Sequence, residues 1–144
     1  MADDIGPVAR LFVQEVPEIA TASIEIKAMA RKAGYRSKLA LQSQAPSVDC
    51  IAACVGIHGH RIKRIVDALG EERIDLFRWN DSPENLIANA LQPAVIERVI
   101  LHPSAHRAVV VVKAVQVALV LGRQGENRQL ASELSGWQIE VEEL

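Results

Sequence analysis

Two Gly-x-x-Gly motifs, Gly56-Ile57-His58-Gly59 and Gly122-Arg123-Gln124-Gly125, lie 66 residues apart, and Gly70 and Gly136 keep the same spacing. A repeat at fixed register means that the folding problem is set by the repeated unit rather than by the whole chain. In 144 residues that leaves two small modules, and one reading of the pattern has to serve both.

The hydrophobic periodicity supplies that reading. Residues 7–20 carry a helical stripe (Val8, Leu11, Phe12) that Pro17 stops. Residues 23–31 and 36–43 alternate as two strands around an Ala33-Gly34-Tyr35 turn. Ile24, Ile26, Ala28 and Ala30 are expected on one face of the first strand, with Glu25, Lys27, Met29 and Arg31 on the other. A helix follows Pro46-Ser47-Val48-Asp49, with Ser47 the expected cap and Ile51, Ala52, Cys54 and Val55 its apolar side. After the first Gly-x-x-Gly, a helix over 60–69 shows Ile62, Ile65, Val66 and Leu69, and Gly70 ends it. Residues 73–79 read as a strand. The order then recurs: a helix over 83–91 capped by Ser82 or Asp81, strands over 95–101 and 108–113, helices over 114–121 and 126–134, and a strand over 137–142. The expected architecture is α+β, two consecutive modules of helix–strand–strand–helix–helix–strand. Each has a three-stranded sheet with helices on one face, and the modules span residues 1–80 and 81–144.

Charge is distributed unevenly. Residues 27–64 hold eight bases (Lys27, Arg31, Lys32, Arg36, Lys38, Arg61, Lys63, Arg64) against Asp49 alone. Residues 1–26 hold Arg10 against Asp3, Asp4, Glu15, Glu18 and Glu25, and the whole chain is −2. Such asymmetry fits a polyanion partner for the middle segment. It fits equally a solvated face onto which the acids fold back.

The glycines bear on that choice. A glycine pair between two helices permits a left-handed turn and removes the side chains that keep a phosphodiester away from the backbone. The helix that follows offers free N–H groups and the positive end of its dipole. One such motif is usually only a helix corner. Two, each within the same order of elements, match the loop by which KH domains clamp four nucleotides.

Further residues carry a resemblance from about Leu11-Phe12 through Val141: Glu15-Val16-Pro17-Glu18-Ile19, Glu25-Ile26-Lys27-Ala28, Gly34-Tyr35-Arg36, Ala53-Cys54-Val55-Gly56, Arg78-Trp79, Ile87-Ala88-Asn89-Ala90-Leu91, Leu130-Ala131 and Gly136-Trp137. On these the two modules resemble the tandem KH domains of the bacterial NusA transcription factors. The resemblance implies type II KH topology, single-stranded RNA (the nascent transcript) as ligand, and action in pausing, termination and antitermination. It also implies that RNA polymerase and antitermination factors are engaged through regions outside this chain. The RNA-binding residues it points to are Gly56, Ile57, His58, Gly59, His60, Arg61, Lys63 and Arg64 in the first module, and Gly122, Arg123, Gln124, Gly125 and Asn127 in the second. His58 stands where the family often has lysine, and is charged only when protonated. Glu126 brings an acid to the second loop. Binding is therefore expected to be stronger through the first module.

Other chemistries have less behind them. Cys50, Cys54, His58 and His60 have a zinc-like spacing, but Cys54 falls in an apolar stripe and the histidines in or beside a loop, so no metal or other cofactor is expected. No histidine is placed to activate a serine, so no catalysis is expected. Trp79 and Trp137 are expected to pack rather than to stack on bases, since aromatics are only 3% of the chain. No apolar run reaches the ~18 residues of a membrane span, and the acidic start has no secretion signal; a reduced, cytoplasmic setting is the expectation. The competing function class is a protein-interaction scaffold with degenerate KH loops, using its acidic ends.

The joint at Asn80-Asp81-Ser82 is short, and the modules are expected to behave as one unit with Trp79 near the seam. A single cooperative transition by calorimetry is the expected result; two resolved transitions would show independently folding modules.

Overall fold

The computed structural model describes residues 4–144; Asp3, counted above among the N-terminal acids, lies outside the described residues. The chain divides into a unit running through Trp79 and a second unit, Asn80–Leu144. The first comprises α1 (Gly6–Glu15), α2 (Pro17–Ala20), β1 (Ile24–Lys32), β2 (Arg36–Ser43), α3 (Cys50–Val55), α4 (His60–Ala68) and β3 (Arg73–Arg78). The second comprises α5 (Pro83–Ala90), β4 (Arg98–His102), β5 (Arg107–Val112), α6 (Val117–Leu121), α7 (Glu126–Ser135) and β6 (Gln138–Glu143). Each sheet has three strands in sequence order. The first pair is antiparallel and the second parallel, so β2 and β5 are central. A parallel pair cannot be joined by a tight turn; the helix pairs α3–α4 and α6–α7 make the crossovers. The glycine motifs lie within those crossovers.

The helices cover one face of the first sheet. Val8, Phe12 and Val16 from the N-terminal helices meet Ile24, Leu39 and Leu41 from the strands, with Cys50, Cys54 and Ile65 from α3 and α4. Pro17 ends α1 because the residue before a proline is driven out of the helical region; Val16 is extended (φ −119°, ψ 95°), and Pro17 starts α2.

Five local expectations are corrected. Asp49, not Ser47, caps α3, its Oδ1 accepting from the N–H groups of Ile51 and Ala52. The face of α3 that is buried is Cys50 and Cys54, whereas Ala52 is exposed. In β1 the pairing runs Ile26–Leu41 and then Ala28–Ala40, so Lys27 is an extra residue in a bulge. A bulge of one residue inverts the alternation beyond it; Ile24 and Ile26 are joined in the core by Met29, and Ala28 and Ala30 fall on the opposite face. In the second unit the first strand starts at Arg98, three residues later than expected, and residues 114–116 form a single 3-10 turn before α6.

Much of the positive segment is consumed internally. Glu72, fully buried, accepts from Arg31 Nε and Nη2, from the Gly34 amide and from the Ser37 hydroxyl at 2.6 Å. Burial alone would raise its pKa, but these donors hold the carboxyl below its ordinary value. The cluster ties the β1–β2 hairpin to the start of β3. Across the sheet, Asp75 takes Arg36 and Lys38, the latter at 2.9 Å with no exposed surface. Of the eight bases in residues 27–64, Arg31, Arg36 and Lys38 are therefore committed to acids 37 to 41 residues away.

Burial lowers the Lys38 pKa from 10.5 to about 8, against the pull of Asp75. The folded state thus binds fewer protons than the unfolded between those values, and stability rises with pH across that window. Chemical denaturation from pH 8 to pH 10 should show this slope in the wild type and not in Lys38→Met. The difference should be on the order of 1–2 kcal/mol over the two pH units.

Candidate nucleic-acid interface

Both glycine motifs form the same corner. Gly56 has φ 79°, ψ 173° and Gly122 φ 72°, ψ 179°. That combination of positive φ and extended ψ is essentially restricted to glycine. His58 (φ 53°, ψ 25°) and Gln124 (φ 56°, ψ 25°) are left-handed, as are Gly59 (φ 74°, ψ 16°) and Gly125 (φ 74°, ψ 12°). The hydrogen bonds repeat as well. Gly56 and Gly122 donate to Ala52 and Ala118, four residues back, and Gly59 and Gly125 donate to Gly56 and Gly122.

The need for glycine differs within each pair. A Cβ at Gly56 would lie 2.7 Å from Cγ of Arg61, and one at Gly122 2.7 Å from Cβ of Asn127. A Cβ at Gly59 or Gly125 would meet nothing within 4 Å. The first glycine is thus fixed by packing and backbone together, the second by backbone conformation and by whatever approaches from outside.

The helices beyond the corners start without a side-chain cap, whereas Asp49 caps α3 and Ser82 caps α5. The first-turn amides of α4 and α7 therefore have no side-chain partner, and the first of them, those of His60 and Glu126, donate to the Ile57 and Arg123 carbonyls. Around the first loop, Ile57 is 81% exposed, and His58 and His60 are exposed. Lys63 pairs with Asp67 at 3.1 Å and Arg64 with Glu15 at 3.7 Å, both on the surface. Such pairs are worth little and exchange readily for another anion. Arg123 and Gln124 are exposed at the second loop. Two of the expected contacts are placed differently. Arg61 Nη1 donates to the Ala53 carbonyl at 2.7 Å and to both Glu18 oxygens. Asn127 is 1% exposed, its Nδ2 donating to the Leu119 and Val120 carbonyls.

Beside the first loop runs an open groove lined by Glu18, Val48, Asp49, Ala52, Ile57 and Arg61, among others. Glu18 and Asp49 were not anticipated, because only the packing of α2 and α3 brings them to the loop. Both stay ionised. The Glu18 pKa is lowered by hydrogen bonding to its own backbone and by Arg61, and that of Asp49 by the Ala52 and Ile51 amides and by Arg78. In the second unit the position 66 residues after Asp49 is Val115 and the one 66 after Ala53 is Leu119, and both are exposed. Apolar residues lying off the buried stripe of 114–121 were the available signal.

The cysteines take no part. Cys54 is fully buried, and desolvation, with Cys50 and Glu18 nearby, pushes its thiol up to about 12. Among the described residues no group of three or more His, Cys, Asp and Glu side chains is arranged to hold a metal ion. Lys27 Nζ sits 5.5 Å from the Trp79 ring, and Trp137 meets His106 edge-on at 4.6 Å.

Two crossover helix pairs joined by Gly-x-x-Gly, each closing a sheet with one antiparallel and one parallel pairing, define a tandem of KH modules, a class whose loops hold the nucleic-acid backbone. The description "NusA-like first KH domain" matches residues 3–79, and "NusA-like second KH domain" matches residues 83–144. The chain belongs to the NusA-like KH family. It is 46% identical over 133 residues to the transcription termination/antitermination protein NusA of Thermus thermophilus, covering 92% of this chain and 34% of that protein. Against the protein of the same name from Halalkalibacterium halodurans it is 40% identical over 136 residues, covering 94% and 36%. The chain thus spans about a third of the length of these curated relatives. The crystal structure of APE1850 shares the fold, with a TM-score of 0.62 at 17% identity over 92% of this chain and 96% of that one.

The corner geometry separates the glycines experimentally. Gly56→Ala should cost roughly 3 kcal/mol, from a glycine-only conformation plus overpacking against Arg61. Gly59→Ala should cost about 1 kcal/mol, from left-handed strain alone. Equal losses in urea denaturation would contradict this division.

Proposed function

We propose that this chain is a non-catalytic single-stranded RNA-binding unit. Each loop clamps the sugar-phosphate backbone, and the groove beside the loop receives bases. The observation that carries this reading is the twice-built corner: the same glycine-dependent backbone, open outward at its second glycine, followed by a helix whose first-turn amides have no side-chain cap. Phosphate oxygens suit such amides, and the helix dipole adds to the attraction.

In the first module Gly56, Ile57, His58, Gly59 and His60 form the clamp, with Lys63 and Arg64 as charges along it. Gly122, Arg123, Gln124 and Gly125 form the second clamp. The first is the stronger binder, because Glu126 occupies the place of His60 and opposes an incoming phosphate. Acceptance of many sequences follows from clamping the backbone, since phosphate contacts carry no sequence information themselves.

The relatives' name supports a place in transcription termination and antitermination; the same reading extends to elongation and pausing, with the nascent transcript as ligand. RNA polymerase and antitermination factors would be met through regions outside this chain. Among the described residues no helix is long and apolar enough to cross a membrane.

Gly59→Asp tests the reading with little harm to the fold, because a Cβ there meets nothing within 4 Å and Asp tolerates left-handed backbone. Its carboxylate would face the phosphate. Affinity for single-stranded RNA should fall roughly tenfold or more, and less for Gly125→Asp. Wild-type affinity should drop steeply with salt. Absence of binding at low and high salt would favour the scaffold reading, and equal losses in the two variants would overturn the ranking of the modules.

A further inference from the structure

We infer that Arg61 and Asn127 are positioning residues that lock the two corners, and that neither is a phosphate contact. The inference rests on the loops being the RNA clamps, and it concerns what holds them in shape. Both residues are the second of the helix after the corner, and they are 66 residues apart. Arg61 donates to the carbonyl of Ala53 at 2.7 Å and Asn127 to that of Leu119 at 3.0 Å, and these carbonyls are also 66 residues apart. Each carbonyl lies in the last turn of the helix before the corner, where no intrahelical donor remains. Each side chain therefore satisfies an orphan acceptor of the first helix from the first turn of the second and closes the corner from behind.

Sterics repeat the pattern. The side chain of residue 61 or 127 lies over the first glycine so closely that a Cβ there would be 2.7 Å away. The loops share no side chain between their glycines, Ile57-His58 against Arg123-Gln124, yet the backbone angles of Gly56 and Gly122, His58 and Gln124, and Gly59 and Gly125 agree within about 7°. What they share is this contact from residues 61 and 127.

The chemistry of the two side chains argues against a phosphate role. A cationic guanidinium and a neutral amide make the same bond, so the common requirement is an N–H donor of suitable reach rather than a charge. Asn127 is 1% exposed and cannot be met by a ligand in solvent. Arg61 already has its charge matched by Glu18 at 3.1 Å.

The test uses the whole chain with a random-sequence pool of 12-nucleotide single-stranded RNA, measuring affinity as a function of salt. Removing a phosphate contact on a single strand lowers the slope of log K against log salt by about 0.7. Arg61→Asn places the second module's residue in the first and should hold affinity within about twofold with an unchanged slope. Arg61→Ala and Asn127→Ala should each weaken binding with the slope unchanged. Lys63→Ala and Arg64→Ala, in the proposed clamp, should reduce the slope.

Amide hydrogen exchange without RNA gives a second readout. Exchange at Gly56 and Gly59 should accelerate in Arg61→Ala and not in Arg61→Asn. A reduced slope for Arg61→Asn, or unaltered loop exchange in Arg61→Ala, would overturn the inference while leaving the clamp intact. A wild type that binds no RNA, or a clamp-variant slope that does not move, would overturn the functional reading instead.

Discussion

Gly56 and Gly122 sit where a helix must reverse within four residues while another side chain lies across the turn. The 2.7 Å approach of Arg61 and Asn127, with a positive φ and extended ψ, leaves room for hydrogen alone. Everything the molecule presents outward depends on this constraint. The corner sets where α4 and α7 begin, and hence which amides are uncapped. The same corner sets the crossover by which β3 and β6 return parallel to the central strands. The sheet and the loop are therefore two consequences of one local geometry, and the loop can be stiff without a covalent staple.

Charge shows how a fold redistributes what a sequence counts. Eight bases within residues 27–64 suggest a large field, yet Arg31, Arg36 and Lys38 are drawn into clusters with Glu72 and Asp75. A buried pair is retained only where its hydrogen bonds are completed, and Glu72 meets that condition through Gly34 and Ser37. Lys63 and Arg64, by contrast, are 75% and 71% exposed in surface pairs, which cost little to exchange for phosphate. The charge available to an anion is smaller than the total and includes Lys63 and Arg64 on α4.

The two modules show how duplication allows division of labour. The corners are nearly superimposable in their angles, while their surroundings have diverged. The first groove is bordered by Glu18 and Asp49, and the position 66 residues after Asp49 is the exposed Val115. On the proposed reading, backbone clamping tolerates such divergence because it uses main-chain groups, which substitutions do not remove.

Most of the elements and the location of both loops were legible in the chain itself, because they follow from local rules: periodicity, proline and glycine placement, and a spacing that repeats. A residue type at a fixed position encodes its own backbone preference, so Gly56, Gly59, Gly122 and Gly125 could be read directly. The bulge at Lys27, the cap at Asp49, the groove acids Glu18 and Asp49, and the inward turn of Arg61 and Asn127 could not. Each depends on a partner supplied by another element, and the energy of an ion pair or a buried hydrogen bond is set by the distance and burial that packing creates. The sequence determined the two corners and their order along the chain. Tertiary structure alone decided which bases and amides remain on the outside, because only packing determines which acids and carbonyls reach them first.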